Sequence, residues 1–103
     1  MREIRETSVF KTWFKNLRDT RAKIRIDMRT KRLALGNSGD TKPVGEGISE
    51  MRINYGPGYR VYYKDTGKEI VILLCGGDKS TQISDIAKAK ELSKNLELLH
   101  ETG

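Results

Sequence analysis

Cysteine occurs once, at Cys75, so no disulfide can form within the chain. That usage fits a reducing compartment, and a cytoplasmic location is the expectation. Histidine also occurs once, at His100, which removes His–His and His–Asp pairs from the possible chemistries. One Cys and one His cannot supply a zinc site of the usual kind. No apolar run approaches the ~20 residues of a membrane helix; the longest, Ile70 to Cys75, is strand-sized. The start, MREIRETSV, lacks the apolar stretch of a secretory signal, so neither export nor a membrane partner is expected. A phosphate loop is missing too: GGDKS lacks the Gly-x4-Gly-Lys spacing.

What the chain does have is positive charge. It carries 20 Lys and Arg, a net charge of +6 and only 36% hydrophobic residues in 103 positions. Its length is that of one domain, spanning 1–103. A basic balance favours a polyanionic partner, because each Lys or Arg that neutralises a phosphate releases condensed counterions.

The pattern begins with a short candidate edge strand, Arg2 to Thr7. Ser8 can cap a helix in which Phe10, Trp13, Phe14 and Leu17 share one face. A second helix starts near Asp19 or Thr20, with Ile24, Met28, Leu33 and Leu35 as its expected core positions and Gly36 as its stop. The short break predicts an antiparallel helical hairpin. From Arg18 to Arg32, seven cations face two carboxylates.

GNSGDTKPVGEG, residues 36–47, reads as loop. Then the period becomes two. Met51, Ile53 and Tyr55 alternate with Glu50, Arg52 and Asn54, and Tyr59, Val61 and Tyr63 alternate with Arg60, Tyr62 and Lys64. Ile70 to Cys75, apolar throughout, suggests a strand covered on both faces. Ile86, Ala89, Leu92, Leu96 and Leu99 mark a last helix, capped by Ser80 or Thr81. The order β-α-α-β-β-β-α predicts an α+β domain: an antiparallel-dominated sheet of about four strands, an N-terminal helical hairpin and a C-terminal helix. Cys75 and Trp13 read as core residues.

If the first two of these alternating strands pair, Glu50, Arg52, Asn54, Arg60, Tyr62 and Lys64 share one face. An ordinary solvated face with cross-strand ion pairs fits that pattern. So does a phosphate site. Arg52 and Arg60 offer forked donors, Lys79 leaves the end of the adjacent strand, Glu50 is a candidate general base, and Tyr62 a candidate for stacking or proton donation. This set suits RNA cleavage by its own 2′-hydroxyl, which requires no metal.

The run KPVGEGISEMRINYGPGYRVYY, residues 42–63, followed by IVILLCGGDKSTQISDIAKAKEL, residues 70–92, strongly resembles the addiction module killer proteins. These belong to the RelE/ParE superfamily, near the HigB-type toxins. Gly-Tyr-Arg-Val-Tyr is common across the superfamily; LLCGGDKS is far more specific. The resemblance implies a RelE-like fold and the toxin of a type II toxin–antitoxin pair. It further implies a ribosome-dependent mRNA endonuclease without cofactor, whose partners are mRNA, the ribosome and a small helix-turn-helix antitoxin. Position by position, it implies catalytic roles for Arg60, Lys79, Arg52 and Glu50, and Asp78 completes the candidate catalytic set. RNA contacts are expected from Tyr62, Lys42, Gln82, Lys23 and Arg25. One departure stands out. Several relatives place a Tyr or His after the last strand, whereas residues 76–86 here read GGDKSTQISDI. Asp78, Lys79, Gln82 or a group of the ribosome remain as candidates for the missing acid. Two alternatives share the fold: a ParE-like inhibitor of DNA gyrase without nuclease activity, and an inactive relic that binds its antitoxin.

Overall fold

The structure is a computed structural model describing residues 1–67 and 69–102, with side chains as far as Leu96. The elements run β1 (Glu3–Glu6), α1 (Ser8–Asn16), α2 (Thr20–Ala34), β2 (Thr41–Gly45), β3 (Ile48–Ile53), β4 (Tyr59–Asp65), β5 (Ile70–Asp78), a 3-10 turn (Lys79–Thr81) and α3 (Gln82–Thr102). One five-stranded sheet has the order β1-β5-β4-β3-β2. It is mixed: β1 runs parallel to β5, and the other pairings are antiparallel. The α+β class stands, with one strand more than expected. The addition is β2, inside the stretch read as loop. Its Gly and Pro content hides a strand, but β3 presents an open edge and β2 pairs onto it, with a register shift between Pro43 and Gly45. Proline is tolerated there because an outer strand needs only one side of its backbone hydrogen-bonded.

Both sheet faces are covered. On one, Phe10 from α1 and Ile26 and Leu33 from α2 bury Met51, Ile53, Val61, Tyr63, Val71 and Leu73. On the other, Ala89 of α3 packs with Ile48, Tyr62, Leu74 and Cys75. This double cover explains why β5 reads as continuously apolar. Two adjacent glycines let the helices close on its end. A Cβ at Gly76 would overlap the Trp13 ring, and one at Gly77 would overlap the Asp85 carboxylate. The GG of LLCGGDKS is therefore a packing requirement on both faces.

Three local expectations change. The cap of α1 is Thr7, not Ser8: Thr7 has extended backbone, accepts from the Phe10 N–H at 3.0 Å and donates to the Leu74 carbonyl at 2.6 Å. That second bond ties the helix start to β5, which Ser8 has no means to do from inside the helix. On α2 the buried residues are Ala22, Ile26, Leu33 and Ala34, while Ile24, Met28 and Leu35 are exposed. The helix carries two apolar stripes, and the one with small Ala22 and Ala34 seats closest on the sheet. The cap of α3's leading turn is Asp78, whose side chain accepts from the Ser80 N–H. Asp19 caps α2, and Gly36 ends it as expected: with φ of +90°, it donates to Leu33 O while Asn37 donates to Arg32 O. Leu99 lies outside the described side chains. No helix among the described residues is long and apolar enough to cross a membrane.

Candidate functional site

The β3–β4 register sets the site. Glu50 lies opposite Tyr62 and Arg52 opposite Arg60, so all four share the face that α3 covers. Gly77 of β5 lies opposite Arg60, so Lys79, two residues on, follows on the Arg60 side. The open sheet face expected from the alternation is only half open. Over Glu50 and Tyr62 the helix closes completely, and both are 0% exposed. Beyond them, Arg52, Arg60 and Lys79 line a cleft of about 390 Å³ together with Asp40, Asn54 and residues 56–58 of the β3–β4 loop. That loop crosses close to the cations: a Cβ on Gly58 would lie 3.5 Å from Lys79 Cβ and 3.7 Å from Arg60 Nη1.

Beneath the cleft, Glu50 joins four side chains. Its Oε1 accepts from Arg52 Nε at 2.9 Å, and its Oε2 accepts from Tyr62 OH at 3.0 Å and Gln82 Nε2 at 2.7 Å. Arg60 Nε sits 3.9 Å from the same Oε1 and makes no hydrogen bond. Burial pushes the Glu50 pKa up, but the bonds from Gln82, Arg52 and Tyr62 outweigh it and hold the carboxyl below its ordinary value. Glu50 is thus a buried, committed carboxylate. The general-base role expected of it does not fit this placement, because the carboxylate is fully buried and both its oxygens accept from the protein's own donors. The carboxylate that does reach the cleft is Asp40.

Other expected residues fall in different places. Tyr62 cannot stack on a base, being fully buried; burial, then the charge of Glu50 and the bond to it, raises its phenol well above the ordinary value. Gln82 points inward and closes the Glu50 network rather than facing RNA. Asp78 caps the turn before α3; the bond from the Ser80 hydroxyl, with those from the Ser80 and Thr81 backbone, outweighs desolvation and holds its carboxyl below the ordinary range. Lys42 is exposed on β2, opposite Glu50 in the register, but does not line the cleft. Lys23 lies over the Phe14 ring at 5.7 Å and Arg25 over Tyr55 at 4.6 Å, both on α2 and outside the cleft lining. Cys75 is a core thiol whose pKa burial pushes up to about 12.

Arg29 and Asp40 escaped the sequence reading. Arg29, counted among the basic residues of α2, bonds the Arg52 carbonyl and the carbonyls of Ser38 and Asp40, with 2.5 Å to Arg52 O and 3.2 and 3.1 Å to the other two. It pins the lip that carries Asp40. Its place in the sequence gives no sign of this, since its partners are backbone carbonyls brought in by folding. Among the described residues, no three His, Cys, Asp or Glu side chains gather closely enough to hold a metal ion.

No model of a known protein family matches the chain. A protein of Haemophilus influenzae, described only as an uncharacterized protein, is 52% identical over 96 residues, which is 93% of this chain and 97% of that protein. With half of all positions shared across nearly the full length of both, the chain belongs to the same family as this Haemophilus influenzae protein.

Proposed function

We propose that the chain is the toxin of a type II toxin–antitoxin pair of the RelE/ParE kind, acting in the cytoplasm as a metal-independent endonuclease of mRNA on the ribosome. The observation that carries this reading is the convergence of Arg52, Arg60 and Lys79, from two strands and the turn after a third, on one solvent-open cleft. The resemblance of residues 42–63 and 70–92 to addiction module killer proteins supports it. In this reading a backbone phosphate of mRNA sits among the three cations. The 2′-oxygen attacks phosphorus and gives up its proton, for which Asp40 is the accessible carboxylate. Arg52, Arg60 and Lys79 stabilise the charge that builds on the phosphorane oxygens. The 5′-oxygen leaves and takes a proton from solvent water in the open cleft, giving a 2′,3′-cyclic phosphate and a 5′-hydroxyl end. Antitoxin, mRNA and ribosome are the proposed partners.

The test is induction in cells with transcript ends mapped. Wild type is expected to produce cuts within translated mRNA. Arg60→Ala and Lys79→Ala should lower cutting by about 100-fold or more, the scale for losing one stabilising donor. Lys79 is exposed, so its removal leaves the core intact. Unchanged cutting in both variants would remove the cleft from the chemistry. Growth arrest without cut transcripts but with DNA damage signalling would favour gyrase inhibition, and no effect on growth would favour an inactive relic.

A further inference from the structure

Three of the exposed large apolar residues belong to one helix end to end. Ile24 is 54% exposed, Met28 49% and Leu35 72%. By the 100° step of an α-helix they fall within about 40° of arc, one outward stripe from the second turn of α2 to its C-cap. The inward stripe of Ala22, Ile26 and Leu33 already satisfies the sheet. A helix with two apolar stripes is ordinarily packed on two sides. Here the second side faces water, and an aligned exposed stripe marks an interaction surface rather than scattered surface residues.

The charge beside the stripe selects the occupant. Arg21, Arg25 and Arg32 are exposed and project along one flank of it by the same helical geometry. Lys31, within the stripe, pairs with Asp27 at 3.0 Å on the other flank. RNA would engage the arginines but leave the apolar stripe in water, since phosphate contacts gain nothing from Ile, Met or Leu. An antiparallel second copy would set arginine flank against arginine flank, and a parallel one would set it against a flank whose single carboxylate, Asp27, is already paired with Lys31. An amphipathic helix with Asp and Glu beside its own apolar seam satisfies both features at once, by ridge-into-groove contact and opposite charge.

We infer that the outer face of α2 is a docking surface for an acidic amphipathic helix of a partner protein, anchored on Ile24, Met28 and Leu35 and flanked by Arg21, Arg25 and Arg32. This surface is separate from the cationic cleft, whose lining takes no residue from α2, and it stands whether or not the cleft cuts RNA.

The test is photocrosslinking in growing cells with full-length chain carrying benzoylphenylalanine at Met28 or, as control, at Ile83, which is 88% exposed on α3. The expected result is an adduct from position 28, absent from position 83, whose peptide maps by mass spectrometry to an acidic amphipathic segment of another protein. The double reversal Arg21→Glu, Arg32→Glu should lower that adduct at least tenfold with unchanged thermal unfolding. Lys79→Ala should leave it intact even where mRNA cutting is lost, which separates failure of this surface from failure of the cleft. An adduct to RNA, an adduct to a second copy, equal yields at both positions, no adduct, or indifference to charge reversal would each overturn the inference.

Discussion

Toward α1 and α2 the sheet presents Met51, Ile53, Val61, Tyr63, Val71 and Leu73; toward α3 it presents Glu50 and Tyr62 among Ile48, Leu74 and Cys75. The first face is held mainly by apolar area, which is non-directional and tolerant of small shifts, with Thr7 and Arg29 bonding strand carbonyls at its margins. The second is held partly by hydrogen bonds to one buried carboxylate, which have direction. Directional bonds are what a cationic cleft needs. Arg52 and Arg60 are long, flexible side chains, and the fixed oxygen of Glu50 limits where their forks can lie. Gln82 adds the first turn of α3 to the same network, so the helix that covers the face also braces the floor of the cleft.

The comparison breaks most readily on the apolar face. Phe10→Ala is expected to cost about 3–5 kcal/mol, read as a lower urea midpoint, while any cutting per folded molecule stays near wild type. Glu50→Ala should cost about 1–3 kcal/mol for the buried Tyr62 OH left without a partner, and less for the half-buried Gln82 Nε2. It should also reduce cutting beyond its effect on stability, because Arg52 loses its anchor. Equal stability loss with full activity would show that Glu50 is structural only. Tyr62→Phe keeps the ring and removes one hydrogen bond to a carboxylate, an expected loss of about 1.5 kcal/mol. It should leave cutting little changed if the phenol takes no part in proton transfer.

The smallest effect concerns pH. The folded pKa of Glu50 lies below its ordinary value of 4.5, so its ionised form stabilises the fold above that pH, and the contribution fades as pH falls through the lower folded value. Glu50→Gln removes this dependence. The stability gap between wild type and variant, from urea unfolding at a series of pH values, should therefore narrow below about pH 4.5. A gap constant to pH 3, roughly one unit or more below that value, would mean that the carboxylate is not favoured in the folded state.

Periodicity sufficed for much of this molecule. The aromatic face of α1, the alternation of β3 and β4, the unbroken apolar run of β5 and the stop at Gly36 follow from local rules that hold wherever the segment sits. Those rules also put Arg52 and Arg60 on one face once the two strands were paired, and the register then set them opposite each other. They failed on Thr41–Gly45, where a strand forms because a neighbour's edge is open and not because its own residues favour one. They failed again on α2, where two apolar stripes were possible and only contact with the sheet chose between them. The same reason hid the roles of Arg29 and Gln82, whose partners are distant in sequence.

What the chain fixed by itself is the identity and spacing of its cations, its apolar periods and its turn residues, because these act over a few neighbouring positions. What folding alone decided is exposure: which half of the polar sheet face α3 would close, that Glu50 would lie under the cleft and Asp40 beside it, and which stripe of α2 would meet water. Exposure depends on which elements come together over the whole chain, and no local pattern contains that.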